Sequence, residues 1–179
     1  MASKKYLKDY TLTPEVTAKG RLRPVASYTG DYFRFTAYSG DVKAARLRYI
    51  LLGVPAAVLL FLLLYFSGIF DWNHRWLVLP IAFNLIPAFG VGMGVGRFCT
   101  APEKMTRKLR DKICDRIPPF SMFFMVFSLL SLAAAVAFLF LGGLSVSAGL
   151  YALDTLILFV LSVLIFAQRK ILVTETAEP

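Results

Sequence analysis

The residues best able to do chemistry in this chain are two polar side chains set inside apolar runs. Asp154 stands in Leu150-Tyr151-Ala152-Leu153-Asp154-Thr155-Leu156, within the last such run. An ionisable group at that depth costs on the order of 3 kcal/mol or more unless it is paired, hydrated or protonated. It reads as an ion or proton site, as a docking contact for a partner helix, or as a hydrogen-bonded acid that locks helix packing. Asn84 lies in the second run. The second and fourth runs point the same way, so both side chains sit roughly 12–13 Å below one surface, from the helical rise. Asn84 and Asp154 are expected to face each other or a shared cavity. A hydrogen bond between helices there is worth about 0.6–2 kcal/mol.

The second run has further chemistry in its backbone. Pro80 and Pro87 flank Asn84, and each removes the donor for the carbonyl four residues earlier. Gly90-Val91-Gly92-Met93-Gly94-Val95-Gly96 follows. Gly90 with Gly94, and Gly92 with Gly96, form two small-xxx-small pairs that let other backbones approach on more than one face. A broken helix lining a transport path is one reading, and a tight helix–helix interface is the commoner one. The run does not fit the dinucleotide-binding glycine pattern and follows no strand.

Little else could catalyse. The only histidine, His74, falls in a short link. No Ser/His/Asp set, HExxH, Walker loop or CxxC is present, so the chain is read as non-catalytic, with no cofactor and no metal. Cys99 and Cys114 fall in a loop expected to be cytoplasmic, where a disulfide is not expected. Two thiols without a nearby histidine make a poor zinc site. They read as small, half-buried residues. Cys99, just past a membrane helix, also has the position of a palmitoylation site.

The elements that must position these residues follow from composition. Of 179 residues, 58% are hydrophobic and 17% charged, with mean hydropathy +0.65. Soluble domains carry about 45–50% apolar and about 25% charged residues. The apolar excess falls in four blocks, 49–70, 76–98, 120–141 and 145–167. Each is about 33 Å long as a helix, matching a hydrocarbon core of about 30 Å. The expected fold is an all-α integral membrane protein of four transmembrane helices. Short links at Asp71-Trp72-Asn73-His74-Arg75 and Gly142-Gly143-Leu144 pair the helices into two antiparallel hairpins, and a longer loop, 99–119, joins the hairpins. The transmembrane domain is 49–167, between a segment 1–48 and a tail 168–179.

Charge orients the domain. Of 20 Lys and Arg, only Arg75 falls in a short link, and the rest lie in residues 1–48, 97–118 and the tail. Lys/Arg bias sets orientation, so both termini and the middle loop are expected on the cytoplasmic side of a plasma (inner) membrane. Phe70, Trp72 and Trp76 would mark the outer interface. Residues 1–48 lack the apolar core of a secretory signal. The net charge of +9 fits this topology and attraction to anionic head groups. No nucleic-acid module appears, so nucleic acid is not an expected partner.

Two cytoplasmic features stand out. Tyr28, Tyr32, Phe33, Phe35 and Tyr38 are too many aromatics for a solvating tail. Tyr32-Phe33-Arg34-Phe35-Thr36-Ala37-Tyr38 alternates like a strand, after turn residues Thr29-Gly30-Asp31, with 24–28 as its partner. A small β-hairpin is expected there, and residues 41–48 start a helix that enters the first span. In the middle loop, Thr100-Ala101-Pro102-Glu103 resembles a capping box. Met105, Leu109, Ile113 and Ile117 then recur every four residues until Pro118-Pro119. This predicts an amphipathic helix that either lies among head groups or packs on its own hairpin. Lys104, Arg107, Lys108, Arg110, Lys112 and Arg116 would contact lipid or a partner. Similar polar residues and basic exits suggest a duplicated hairpin, although the apolar letters do not align.

The expected function is a membrane subunit or scaffold that binds other membrane helices and anionic lipid, as a homo-oligomer or with a membrane-protein partner. The alternative is a small cation- or proton-linked transporter or channel using Asp154 and Asn84.

Overall fold

The computed structural model describes residues 4–16, 22–35, 42–67, 75–141 and 146–177. The expected belt residues Phe70 and Trp72, the side chain of Trp76, His74, Tyr38 and both short links lie outside the described residues. Four helices are long and apolar enough to cross a membrane. They are α1 (Val42–Ser67), α2 (Arg75–Thr100), α4 (Ile117–Leu141) and α5 (Val146–Ala167); α3 (Arg107–Cys114) lies between α2 and α4. Helices satisfy every backbone group from within, which is why apolar runs of this length adopt them. Pro80 and Pro87 sit inside α2 without ending it.

The four long helices form a ring in the order α1, α2, α4, α5. The two expected hairpins are neighbours within it. The closest packing is along α4, which touches α2 on one side and α5 on the other. The α4 seam explains why. Its buried residues are Ile117, Ser121, Phe124, Ser128, Ser131 and Ala135. On α5 they are Ala148, Tyr151, Thr155, Leu158, Ser162 and Ile165. Both sets alternate steps of three and four, the 3.5-residue period of supercoiled helices. Serine, threonine and alanine at these positions let backbones come close. The outer faces are the reverse, with Phe61, Ile86, Phe89 and Phe140 all exposed. In water such a surface would aggregate.

Among the described residues, five strands decorate one end of the ring. β1 (Tyr10–Val16) and β2 (Leu22–Tyr28) form an antiparallel ribbon, with Tyr10 opposite Tyr28 and Pro14 opposite Pro24. β3 (Tyr32–Phe35) is the middle strand of a separate sheet, between β4 (Met105–Thr106) and β5 (Thr174–Ala177). Phe33 pairs with Met105 on one side and Thr176 on the other. The N-terminal segment, the middle loop and the tail therefore meet at the same end. Phe35 fastens the sheet to the bundle, its ring 4.9 Å from Phe98, which lies 5.6 Å from Tyr49 of α1.

Several sequence expectations are corrected. A hairpin exists, but 24–28 pairs with β1 and not with 32–35, whose edges are taken by β4 and β5. The middle loop holds an eight-residue helix in place of the longer one expected. Strand pairing with β3 draws Met105 and Thr106 out of it. Thr100 caps nothing, because α2 runs through it and its hydroxyl donates to the carbonyls of Gly96 and Arg97. Pro118 and Pro119 do not end a helix. They sit in the first turn of α4, where a missing N–H costs nothing.

Candidate functional site

Asn84 lies fully buried on α2, facing α4. Its Nδ2 donates to the Pro80 carbonyl at 3.1 Å and to Ser131 Oγ at 3.0 Å. Ser131 passes its own proton to the Phe127 carbonyl at 2.9 Å. Ser128 donates to the Phe124 carbonyl and stands 3.4 Å from Asn84 Oδ1. Both amide protons of Asn84 thus have partners, and its oxygen faces the Ser128 hydroxyl, whose one proton goes to Phe124. The arrangement is a polar lock between two helices.

Asp154 is not part of it. It is half-buried on α5, beside fully buried Thr155. α5 neighbours α4 and α1, while α2 stands at the opposite corner of the ring. Equal depth along the bundle therefore does not bring the two side chains together. The expected Asn84–Asp154 pairing is replaced by Asn84 with Ser128 and Ser131. Sequence reasoning missed these serines; Ser121, Ser128 and Ser131, spaced by seven and then three along an apolar run, were the available signal.

The glycine run splits between two faces. A Cβ on Gly90 would strike the Phe120 ring, and one on Gly94 would come 2.5 Å from Ile117 Cγ1. These two glycines are where α2 presses against α4. Gly92 and Gly96 point the other way, and a Cβ on either would meet nothing within 4 Å. Gly53 of α1 is equally open. Together with Ala57, Ala88 and Tyr49 they line an apolar groove of about 480 Å³ between α1 and α2. A second groove of about 780 Å³, lined by Phe61, Ile86, Phe89 and Met93, shares Ala57, Ala88 and Gly92 with it. The first reaches inward as far as Phe124 of α4 and Ile165 of α5. Neither includes Asn84 or Asp154.

The basic loop divides similarly. Lys104, Arg107 and Lys112 are exposed, and Lys108, Arg110 and Arg116 are half-buried. Arg110 stacks 4.1 Å over the Phe33 ring and bonds Asp111 Oδ1 at 2.9 Å. Tyr6 donates to the other oxygen of Asp111 at 3.1 Å. Ile113 is fully buried in the protein core. α3 therefore packs on the protein through its apolar side, which is the second of the two arrangements expected for it. Cys114 donates weakly to the Leu172 carbonyl, and burial pushes its thiol up to about 11. Such a thiol is inert at neutral pH. Among the described residues, no group of His, Cys, Asp and Glu could hold a metal ion.

Compared with known protein families, curated proteins and solved structures, the chain has no significant match in any of the three.

Proposed function

We propose that this chain is a non-catalytic subunit or scaffold of a membrane assembly, and that its α1–α2 face receives another membrane helix. The observation that carries this reading is the open glycine face. Gly53, Gly92 and Gly96 are small where nothing in the chain itself requires them to be small. Gly90 and Gly94, by contrast, are used up against α4. In lipid, helices associate by close backbone packing, and glycine is the residue that allows it. Four spans with both termini and the basic loop in the cytoplasm, in a plasma (inner) membrane, follow from the Lys/Arg distribution. The sheet that joins β3, β4 and β5 supports a common side for these three segments. Exposed Lys104, Arg107 and Lys112 would then face anionic head groups.

The test is native mass spectrometry of the tagged chain, gently extracted from its membrane. The expected result is a second polypeptide, or a second copy, in fixed ratio. The same preparation of Gly92→Leu and Gly96→Leu should lose it while keeping its melting temperature. A bare monomer from the unaltered chain, or a partner that survives both substitutions, would overturn the reading.

One observation favours transport as a second reading. Asp154 has no hydrogen bond or ion pair among the described residues, although it lies midway along an apolar helix. Cation or proton flux into liposomes that is abolished by Asp154→Asn would establish that role, with the carboxylate as the binding group.

A further inference from the structure

The ribbon of β1 and β2 belongs to neither the bundle nor the three-stranded sheet. Its two faces differ sharply. Tyr10, Leu12 and Pro14 share one face with their partners Tyr28, Ala26 and Pro24. The opposite face carries Thr11, Thr13, Val25 and Ser27. Residues 11–14 and 24–27 are all exposed, and Leu12 is 72% exposed. An apolar face is thus built and left uncovered.

Only the foot of the ribbon is held. Thr29 N–H donates to the Asp9 carbonyl at 2.9 Å. The Tyr28 hydroxyl accepts from Arg107 N–H at 3.1 Å and donates to the Asp31 carbonyl at 2.7 Å. The rings of Tyr10, Tyr28 and Tyr32 stack edge to face at 5.2 and 5.1 Å. Among the described residues no hydrogen bond or ring contact ties the ribbon to the rest of the chain beyond that clasp, and an isolated two-stranded hairpin is marginal in water. Strands of seven residues rise about 24 Å, long enough to extend from the bundle over neighbouring lipid.

The surroundings say what would cover it. The clasp joins the ribbon to β3 and α3, at the end of the ring where the basic side chains gather. Lys8 at the foot, Arg107 at the clasp, and Lys104 and Lys112 on the same segment as Arg107 are all exposed. Exposed cations beside an apolar face complement an anionic lipid surface, where the face meets acyl chains and the cations meet phosphates. We propose that the β1–β2 ribbon is a lipid-sensing flap, whose apolar face lies in the head-group boundary of an anionic leaflet with Leu12 at its deepest point. The proposal rests on the membrane reading above and extends it to a surface that reading does not use.

The test places one thiol at a time on each face. In the full chain carrying Cys99→Ser and Cys114→Ser, Leu12→Cys and Thr13→Cys are labelled separately with an environment-sensitive fluorophore. Each is reconstituted into nanodiscs of phosphatidylcholine alone or with phosphatidylserine. The expected result is a blue-shifted position-12 label, quenched by shallow spin-labelled lipid, more strongly with phosphatidylserine. The position-13 label should stay water-like in both. A position-12 label that stays wet in both discs overturns the proposal. So does equal burial of both positions, or burial that requires added membrane proteins, which would make a protein the occupant. A chain that does not float with lipid at all fails the membrane reading, whereas one that floats with a wet position-12 label fails only this proposal.

Discussion

The two faces of α2 carry the same residue type for opposite ends. Toward α4, Gly90 and Gly94 are consumed by contact with Phe120 and Ile117, and Asn84 is consumed by two serines. Toward α1, Gly92 and Gly96 border open space. One face is filled by the chain itself and the other is left open. The difference teaches that a glycine run is legible as an interface but not as to whose interface it is. Only the contacts decide.

That contrast can be broken by one methyl group. Gly90→Ala or Gly94→Ala drives a Cβ into a packed side chain and should destabilise the chain by about 1–3 kcal/mol. Gly92→Ala and Gly96→Ala should be neutral or stabilising by up to about 1 kcal/mol, because they relieve glycine's backbone entropy in a helix. Thermal unfolding in detergent measures both, and equal effects on the two faces would dissolve the distinction. The polar lock sharpens it further. Asn84→Ala empties a filled, hydrogen-bonded position and should cost about 2 kcal/mol. Ser131→Ala should cost about 1 kcal/mol, because one amide proton keeps its Pro80 partner. Ser128→Ala should cost less, since its contact with Asn84 is the longer one at 3.4 Å.

Smaller effects belong to the exposed end. The Arg34–Glu175 pair, 3.0 Å apart and solvent-facing, should contribute under about 1 kcal/mol in a double-mutant cycle. Cys114 should resist maleimide at neutral pH in the folded chain. Its rate should climb about tenfold per pH unit toward its raised value near 11, and unfolding should remove the protection.

Much of the fold was legible because lipid-length apolar runs admit few alternatives. The four helices and their pairing into hairpins follow from run length and link length alone. The two-faced glycine run was legible from its even spacing. The partner of Asn84 was not, because depth along a bundle can be read from residue number while position around it cannot. The end of the ring that carries the strands was least legible. β4 has two residues and β5 four, too short for alternation to register. The capping box at Thr100 failed because Thr100 is the last residue of α2 rather than the first cap of the next helix. Pairing with Tyr32 and Phe33 then held Thr106 and Met105 extended.

The sheet that closes that end also has a bearing on how the protein is made. Arg34 and Glu175, partners across β3 and β5, stand 141 residues apart. While the ribosome is still making the helices, β3 has emerged and its neighbour β5 does not yet exist. Contacts that bridge such long stretches form late and slowly. From the making of β3 until residues 174–177 emerge, then, the chain carries an unpaired strand edge, and β5 is the segment that seals it. An edge left open in that way invites pairing with other chains, so a protein clipped before residue 174 would be expected to form its four long helices and still leave one edge of β3 open.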